Sequence, residues 1–344
     1  MNSREQSIDV MKGIAIYLVV LGHLCHGYSP VATTLINVCH MPAFFFISGL
    51  FFARSFDKRP GIEFVGEKIR TLLVPFLIWS GVAFLFSILS MLFVQGNANQ
   101  IIGEFIEIFV KARSIWFLLV LFLTFVITWG IRTVTKTGLQ FWGTGVLICL
   151  VAFFACNTEV FRIYKFRWLY PFFLLGILVS EKEYFFDRLV KMKERSFPLQ
   201  MFITLFVVAV YVFCTTKCVS EEIFYEFLGT RWKPEQMGMY FFLILLGLWG
   251  TMGILEASVL ISKMSMVQNV LGIVGQYSID IYVIHMFMVK MMTILFDRVP
   301  QDSMLLSIVA FMIYSVIIVA LIMALDMLIL RKSKWFRTSI GMRA

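Results

Sequence analysis

Apolar residues run almost unbroken along this chain, and the short polar stretches between them mark out the elements. Runs long enough to cross the ~30 Å hydrocarbon core of a bilayer as helices recur near 8–28, 38–54, 71–95, 114–131, 139–156, 166–180, 198–215, 238–261, 272–296 and 303–330. The strands of a membrane barrel would instead be roughly ten residues long and would alternate apolar with polar. The pattern therefore predicts an all-α, polytopic integral membrane bundle of about ten transmembrane helices. Two polar breaks have a helical period of their own. PGIEFVGEKIRTLL sets Ile62, Val65, Ile69 and Leu72 on one face, and EKEYFFDRLVKMKERSF does the same with Phe185, Leu189 and Met192. Both suit helices lying flat on a membrane surface.

Composition removes the soluble alternatives. Of 344 residues, 60% are hydrophobic and 15% charged, with a mean hydropathy of +0.87. Apolar runs use up most of the length, so two or three soluble domains do not fit. Residues 1–330 read as one membrane domain and 331–344 as a basic cytoplasmic tail. The first run, Ile8 to Tyr28, holds Asp9 and Lys12 near its start, and no small-x-small cleavage site follows, so it reads as a retained span.

Charge gives the orientation. With both termini on the cytoplasmic side, 20 of the 30 Lys and Arg fall in cytoplasmic segments. The net charge of +9 lies where anionic headgroups would meet it, which makes the lipid bilayer the expected partner and calls for no nucleic acid. The six cysteines lack the spacing of a zinc site, and no metal is expected. Only Cys214 and Cys218, one turn apart, are placed to pair.

Three of the four histidines, His23, His26 and His40, fall within eighteen residues of apolar sequence. An ionisable group in hydrocarbon costs at least ~2.5 kcal/mol unless it faces protein or water, so such residues mark sites or pathways. Lys12 precedes His23 by eleven residues, which at 100° per residue sets them within about 20° of one face and about 16 Å apart along it. Asp9 lies one turn below Lys12 and can pair with it. His40, at the opening of the second span, starts on the same outer side as His23, and two neutral imidazoles there could share general-base work and substrate orientation. In the ninth run Ser278, Tyr282 and His285, spaced four and three, form a polar face that is either a second wall of the site or hydrogen-bonded packing. The outer segment NTEVFRIYKFRW carries Arg162, Lys165 and Arg167 against the charge rule. It either engages a sugar or a lipid-linked phosphate, or anchors headgroups. Glu104 and Glu107, one turn apart, read as solvated.

These residues carry a resemblance. D9-x-x-K12-G13, nine residues, then H23, followed by HMPAFFFISG from His40, resembles the bacterial membrane acyltransferase-3 family, and EKIRTLLVPFLIW, SIWFLLVLF, YPFFLLGILVS and GQYSIDIYVIH resemble its later landmarks in order. The resemblance implies a ten-span enzyme of the bacterial cell membrane. It would move an acyl group, acetyl being the usual one, from cytoplasmic acyl-CoA to a hydroxyl of an extracytoplasmic or lipid-linked glycan. His23, Lys12, His40 and Asp9 would then be catalytic, and Lys12, Lys68 and Arg70 would contact CoA phosphates. His285, Tyr282, Ser278, Arg162 and Lys165 would meet the acceptor. The family often has arginine where Lys12 stands; lysine keeps the charge and loses the bidentate fork. The rival reading is a glycan carrier or flippase without acyl-transfer chemistry, which would favour paired interrupted helices in two related halves; the sequence shows no such symmetry.

Overall fold

The computed structural model describes residues 3–26, 28–59, 61–93, 98–181, 184–220, 223–224, 236–296 and 304–342. Its helices begin with α1 (Ser3–Cys25), α2 (Pro30–Leu50), α3 (Phe52–Lys58), α4 (Ile62–Lys68) and α5 (Val74–Phe93). They continue with α6 (Ala98–Phe105), α7 (Trp116–Val134), α8 (Gly138–Ala155), α9 (Tyr164–Glu181), α10 (Tyr184–Glu194) and α11 (Phe197–Cys218). The last are α12 (Met237–Ile261), α13 (Ser265–Gln276), α14 (Ser278–Phe296), α15 (Met304–Leu328) and α16 (Lys334–Ser339). No strand occurs among the described residues. Nine helices there are long and apolar enough to cross a membrane, and the total is ten if α13 and α14, which meet at a 79° bend, count together as one broken span. The all-α polytopic architecture read from the apolar runs is the one observed.

Four local features differ from the sequence expectations. The second span starts at Pro30, where the Ser29 hydroxyl accepts from the Ala32 amide at 3.3 Å and proline sits at the first helical positions. His40 and Pro42, expected at the opening of that span, therefore lie inside it. The segment 62–73 is no separate surface helix, because α4 passes through a π-helical turn, Ile69–Leu73, into α5 as one apolar run. Phe64 is its fully buried residue, while Ile62 is 74% exposed. Helix α10 does form, but Phe185, Leu189 and Met192 are buried against protein, with Phe185 edge-on to Phe46 at 5.8 Å. Lys263 holds its end by donating to the carbonyls of Lys193 and Arg195 at 2.5 and 2.7 Å. Finally, the ninth run is broken at Tyr277.

The chain divides into two compact units. Unit 1 comprises Met1–Phe51, Phe172–Phe227 and Trp232–Leu328; unit 2 comprises Phe52–Pro171, Leu228–Arg231 and Ile329–Ala344. In unit 1, α1 packs against α2, α12, α13, α14 and α15. Glycines permit its closest crossing: a Cβ at Gly13 would overlap the Leu271 carbonyl, and one at Gly275 the Asp9 carbonyl. Small residues let membrane helices meet backbone to backbone in this way. The same device joins α2 to α9, where Gly49 abuts the Phe173 carbonyl and Gly176 that of Phe46. Buried Glu256 on α12 accepts from Gln200 at 2.6 Å and Arg195 at 3.1 Å.

Unit 2 has an aromatic interior in which Phe64 lies 5.6 Å from Phe52 and 6.0 Å from Phe125. Residues of the basic tail belong to it. Phe336 of α16 is 1% exposed and edge-on to Trp79 at 6.0 Å. Gly341, at φ +81°, sits on the backbone of Arg70 and Thr71. Cys214 and Cys218 are free thiols, as are the other four cysteines.

Candidate active site

The site in unit 1 is built on α1. Near its start Lys12 reaches Asp9 at 3.3 Å, and Gln276 donates to the other Asp9 oxygen at 3.4 Å. The Lys12 ammonium also lies 5.5 Å from the centre of the Phe51 ring, a cation–π contact. The glycine crossing of α1 and α13 sits at this level and brings Gln276 to Asp9.

Further along α1, the His23 ring lies 5.1 Å from that of His285 on α14, tilted by 44°. His285 is 1% exposed, and its Nδ1 is 2.6 Å from the Tyr282 carbonyl oxygen. A carbonyl can only accept, so Nδ1 carries a hydrogen and, in the neutral ring, Nε2 carries the lone pair. That Nε2 is buried and makes no hydrogen bond among the described residues. His40, 5% exposed on α2, is fixed the same way by the Ile36 carbonyl at 2.6 Å. His40 lies near His285, and His26 near His23. His23 itself keeps accessible surface.

The structure thus brings His23 and His285 into contact, with His40 and His26 around them. His40 gets there from ten residues inside α2 rather than from the mouth of that helix. Tyr282 is buried, its ring 5.6 Å from that of His285. Ser278 starts α14 at the break, about 10 Å below His285 along the helix. Among the described residues no three His, Cys, Asp or Glu side chains are arranged to hold a metal ion.

The remaining candidates lie in unit 2. Lys68 donates to Ser55 at 2.9 Å and rests over the rings of Phe125 at 4.3 Å and Phe64 at 5.0 Å. Arg70 sits in the π turn, and the neighbouring Glu67 pairs with Arg59. Arg162 donates to the Tyr164 hydroxyl at 2.7 Å, and Lys165 lies over the Trp116 ring at 4.4 Å. Arg167 is fully buried and donates to Asn157. Phe161 and Arg162 have φ of 54° and 53°, and Ala112 has 49°, a left-handed conformation that side chains disfavour. Lys111 bridges Glu107 at 2.7 Å and Glu159 at 2.9 Å. These hydrogen bonds hold the Lys111 ammonium above the ordinary lysine value and the Glu159 carboxyl below its own. Glu104 pairs with Arg113 at 3.0 Å, so both acids expected to be solvated are ion-paired.

Two partners, Gln276 and Glu256, are not among the residues singled out from the sequence. Gln276 carries no charge to draw notice, and Glu256, a carboxylate inside an apolar run, was a readable signal of a buried pair.

Fold and site together define a polytopic helical membrane protein whose interior gathers titratable groups along one helix. The chain belongs to the acyltransferase-3 family, whose acyltransferase domain matches residues 5–327. Among curated proteins it is similar to nodulation protein NolL of Mesorhizobium japonicum, 26% identical over 190 residues, covering 52% of this chain and 49% of that protein. NolL of Sinorhizobium fredii is also 26% identical over 190 residues, covering 52% and 50%. The match thus spans about half the length of these curated relatives. No solved structure gives a significant match.

Proposed function

We propose that this chain is a membrane-embedded O-acyltransferase that moves an acyl group, acetyl in the first instance, from acyl-CoA to a hydroxyl of a glycan or lipid-linked sugar. The observation that carries the reading is the placement of His23: accessible, in ring contact with buried His285, and on the same helical stripe as the Asp9–Lys12 pair. His23 is the general base that takes the proton of the acceptor hydroxyl as its oxygen attacks the thioester carbonyl. Lys12 is a point charge for a donor phosphate or carbonyl, held in place by Asp9. The donor's thin pantetheine arm matches in length the ~16 Å that separates Lys12 from His23 along α1. In unit 2, Lys68 and Arg70 are candidate phosphate contacts on the strength of the family likeness. Arg162 and Lys165 are candidate contacts of an anionic or glycosidic acceptor, supported by the aromatic rings beside them. A bacterial cell membrane, with Lys12 toward the cytoplasm, is the setting this reading requires.

The test compares surface glycans by mass spectrometry from cells with the wild-type chain, with His23→Ala and with none. Loss of one acyl mass per modified sugar in both altered strains, with glycan export intact, is expected; general-base removal lowers transfer about 10²–10⁴-fold. The bent span α13–α14 is a feature that carriers share, since broken helices line many transport sites. A carrier predicts the opposite result, unchanged acyl content with lost export.

A further inference from the structure

We propose that His285 is a positioning residue for His23: its Nε2 lone pair accepts an N–H of the His23 imidazolium while His23 holds the proton taken from the acceptor. The inference rests on the acyl-transfer reading above and assigns His285 a role other than contact with the acceptor.

Three observations converge on it. The Tyr282 carbonyl occupies Nδ1 of His285 and so leaves Nε2 as the acceptor nitrogen. That nitrogen is buried without a hydrogen-bond partner among the described residues, a costly state for a polar atom in an apolar bundle and one that calls for a donor. The His23 ring stands beside it, and at 5.1 Å between ring centres two imidazole nitrogens that face each other are about 3 Å apart, within hydrogen-bond reach.

The steps balance. The acceptor O–H bond breaks and its proton passes to one ring nitrogen of His23; the oxygen forms a bond to the thioester carbon. The carbon–sulfur bond then breaks, sulfur leaves with the electron pair, and His23 returns the proton to give the free thiol. Neutral His23 has one N–H and imidazolium has two, so one can face His285 while the other serves the reacting atoms. The bond to His285 strengthens as charge develops on His23, so it favours the transition state over the bound substrates and acts on kcat rather than on KM.

The test uses the full chain purified in detergent, with acetyl-CoA as donor and glycan extracted from cells lacking the chain as acceptor. His285→Leu removes the acceptor at similar volume, whereas His285→Gln offers a carbonyl oxygen in its place. The leucine variant is expected to lose about 10²-fold in kcat with KM for acetyl-CoA within about threefold, and glutamine to recover at least about tenfold of that loss. Carbethoxylation of His23 by diethyl pyrocarbonate, followed by peptide mass spectrometry, gives a readout independent of turnover; it should slow in the leucine variant and recover in the glutamine one. The proposal is overturned if leucine leaves kcat unchanged, or if glutamine does no better than leucine. It is equally overturned if kcat falls only in step with the folded fraction measured by thermal melting, which would make His285 a packing residue. A wild-type chain that transfers no acetyl group would remove the function proposed above and leave the carbethoxylation comparison to judge the imidazole pair by itself.

Discussion

At the scale of single residues, backbone carbonyls decide the chemistry of two histidines. Tyr282 and Ile36 each hold a ring Nδ1–H, so the side chains of His285 and His40 are oriented before any substrate arrives. Lys12 is less constrained. It meets Asp9 at 3.3 Å in a partly exposed pair, and such pairs contribute only about 0–1 kcal/mol to stability. The donor contact proposed for it can therefore be tested apart from its place in the fold. Lys12→Ala should raise KM for acetyl-CoA about tenfold, roughly 1.4 kcal/mol, with little change in melting temperature, whereas Lys12→Arg should keep the charge and most of the affinity. Steady-state kinetics of both variants checks this. An unchanged KM in the alanine variant would reduce Lys12 to a partner of Asp9.

At the scale of elements, the glycine crossing of α1 and α13 sets the register of everything further along α1. Gly13 faces the Leu271 carbonyl and Gly275 the Asp9 carbonyl, and there is no room for a methyl group at either point. Gly13→Ala or Gly275→Ala should force the helices apart and cost about 1–3 kcal/mol by overpacking. Because His23 lies ten residues beyond Gly13, either change should also lower transfer more than the lost stability explains; detergent melting curves read beside activity would check it. The close approach could not be read from the sequence, where Gly13 and Gly275 look like any other glycines in apolar runs. Nor could the break at Tyr277, because hydropathy reports that a segment is apolar and says nothing of its direction. The start of α2 was legible in principle: Ser29 followed by Pro30 is a helix-opening pair, but without a charge nearby it did not outweigh the apolar run beginning at residue 38.

At the scale of the whole molecule, the architecture was legible because a bilayer imposes one rule on every span, namely about 20 apolar residues in a helix. The site was legible only in part. Lys12 and His23 share one helix, so their alignment follows from helical geometry alone. The contact of His23 with His285 joins positions 262 residues apart, and only packing reveals that kind of neighbour. Packing in the tail was hidden for a similar reason. Its basic residues drew attention to charge, but Phe336 and Ile340, 1% and 5% exposed, are interior residues. Phe336→Ala should destabilise unit 2 by about 3–5 kcal/mol. Limited proteolysis of the detergent-purified chain should then cut unit 2 earlier than in the wild type.

That packing has a bearing on biosynthesis. Thr71 is made early and waits in the membrane for Gly341, which emerges some 270 residues later and then lies directly on it. At ~5–20 residues per second the interval is on the order of tens of seconds. During that time the backbone at Arg70 and Thr71 lacks the residue that later lies on it. A chain cut off just before Gly341 would contain every described span and still leave unit 2 open at Thr71, a natural substrate for membrane proteases.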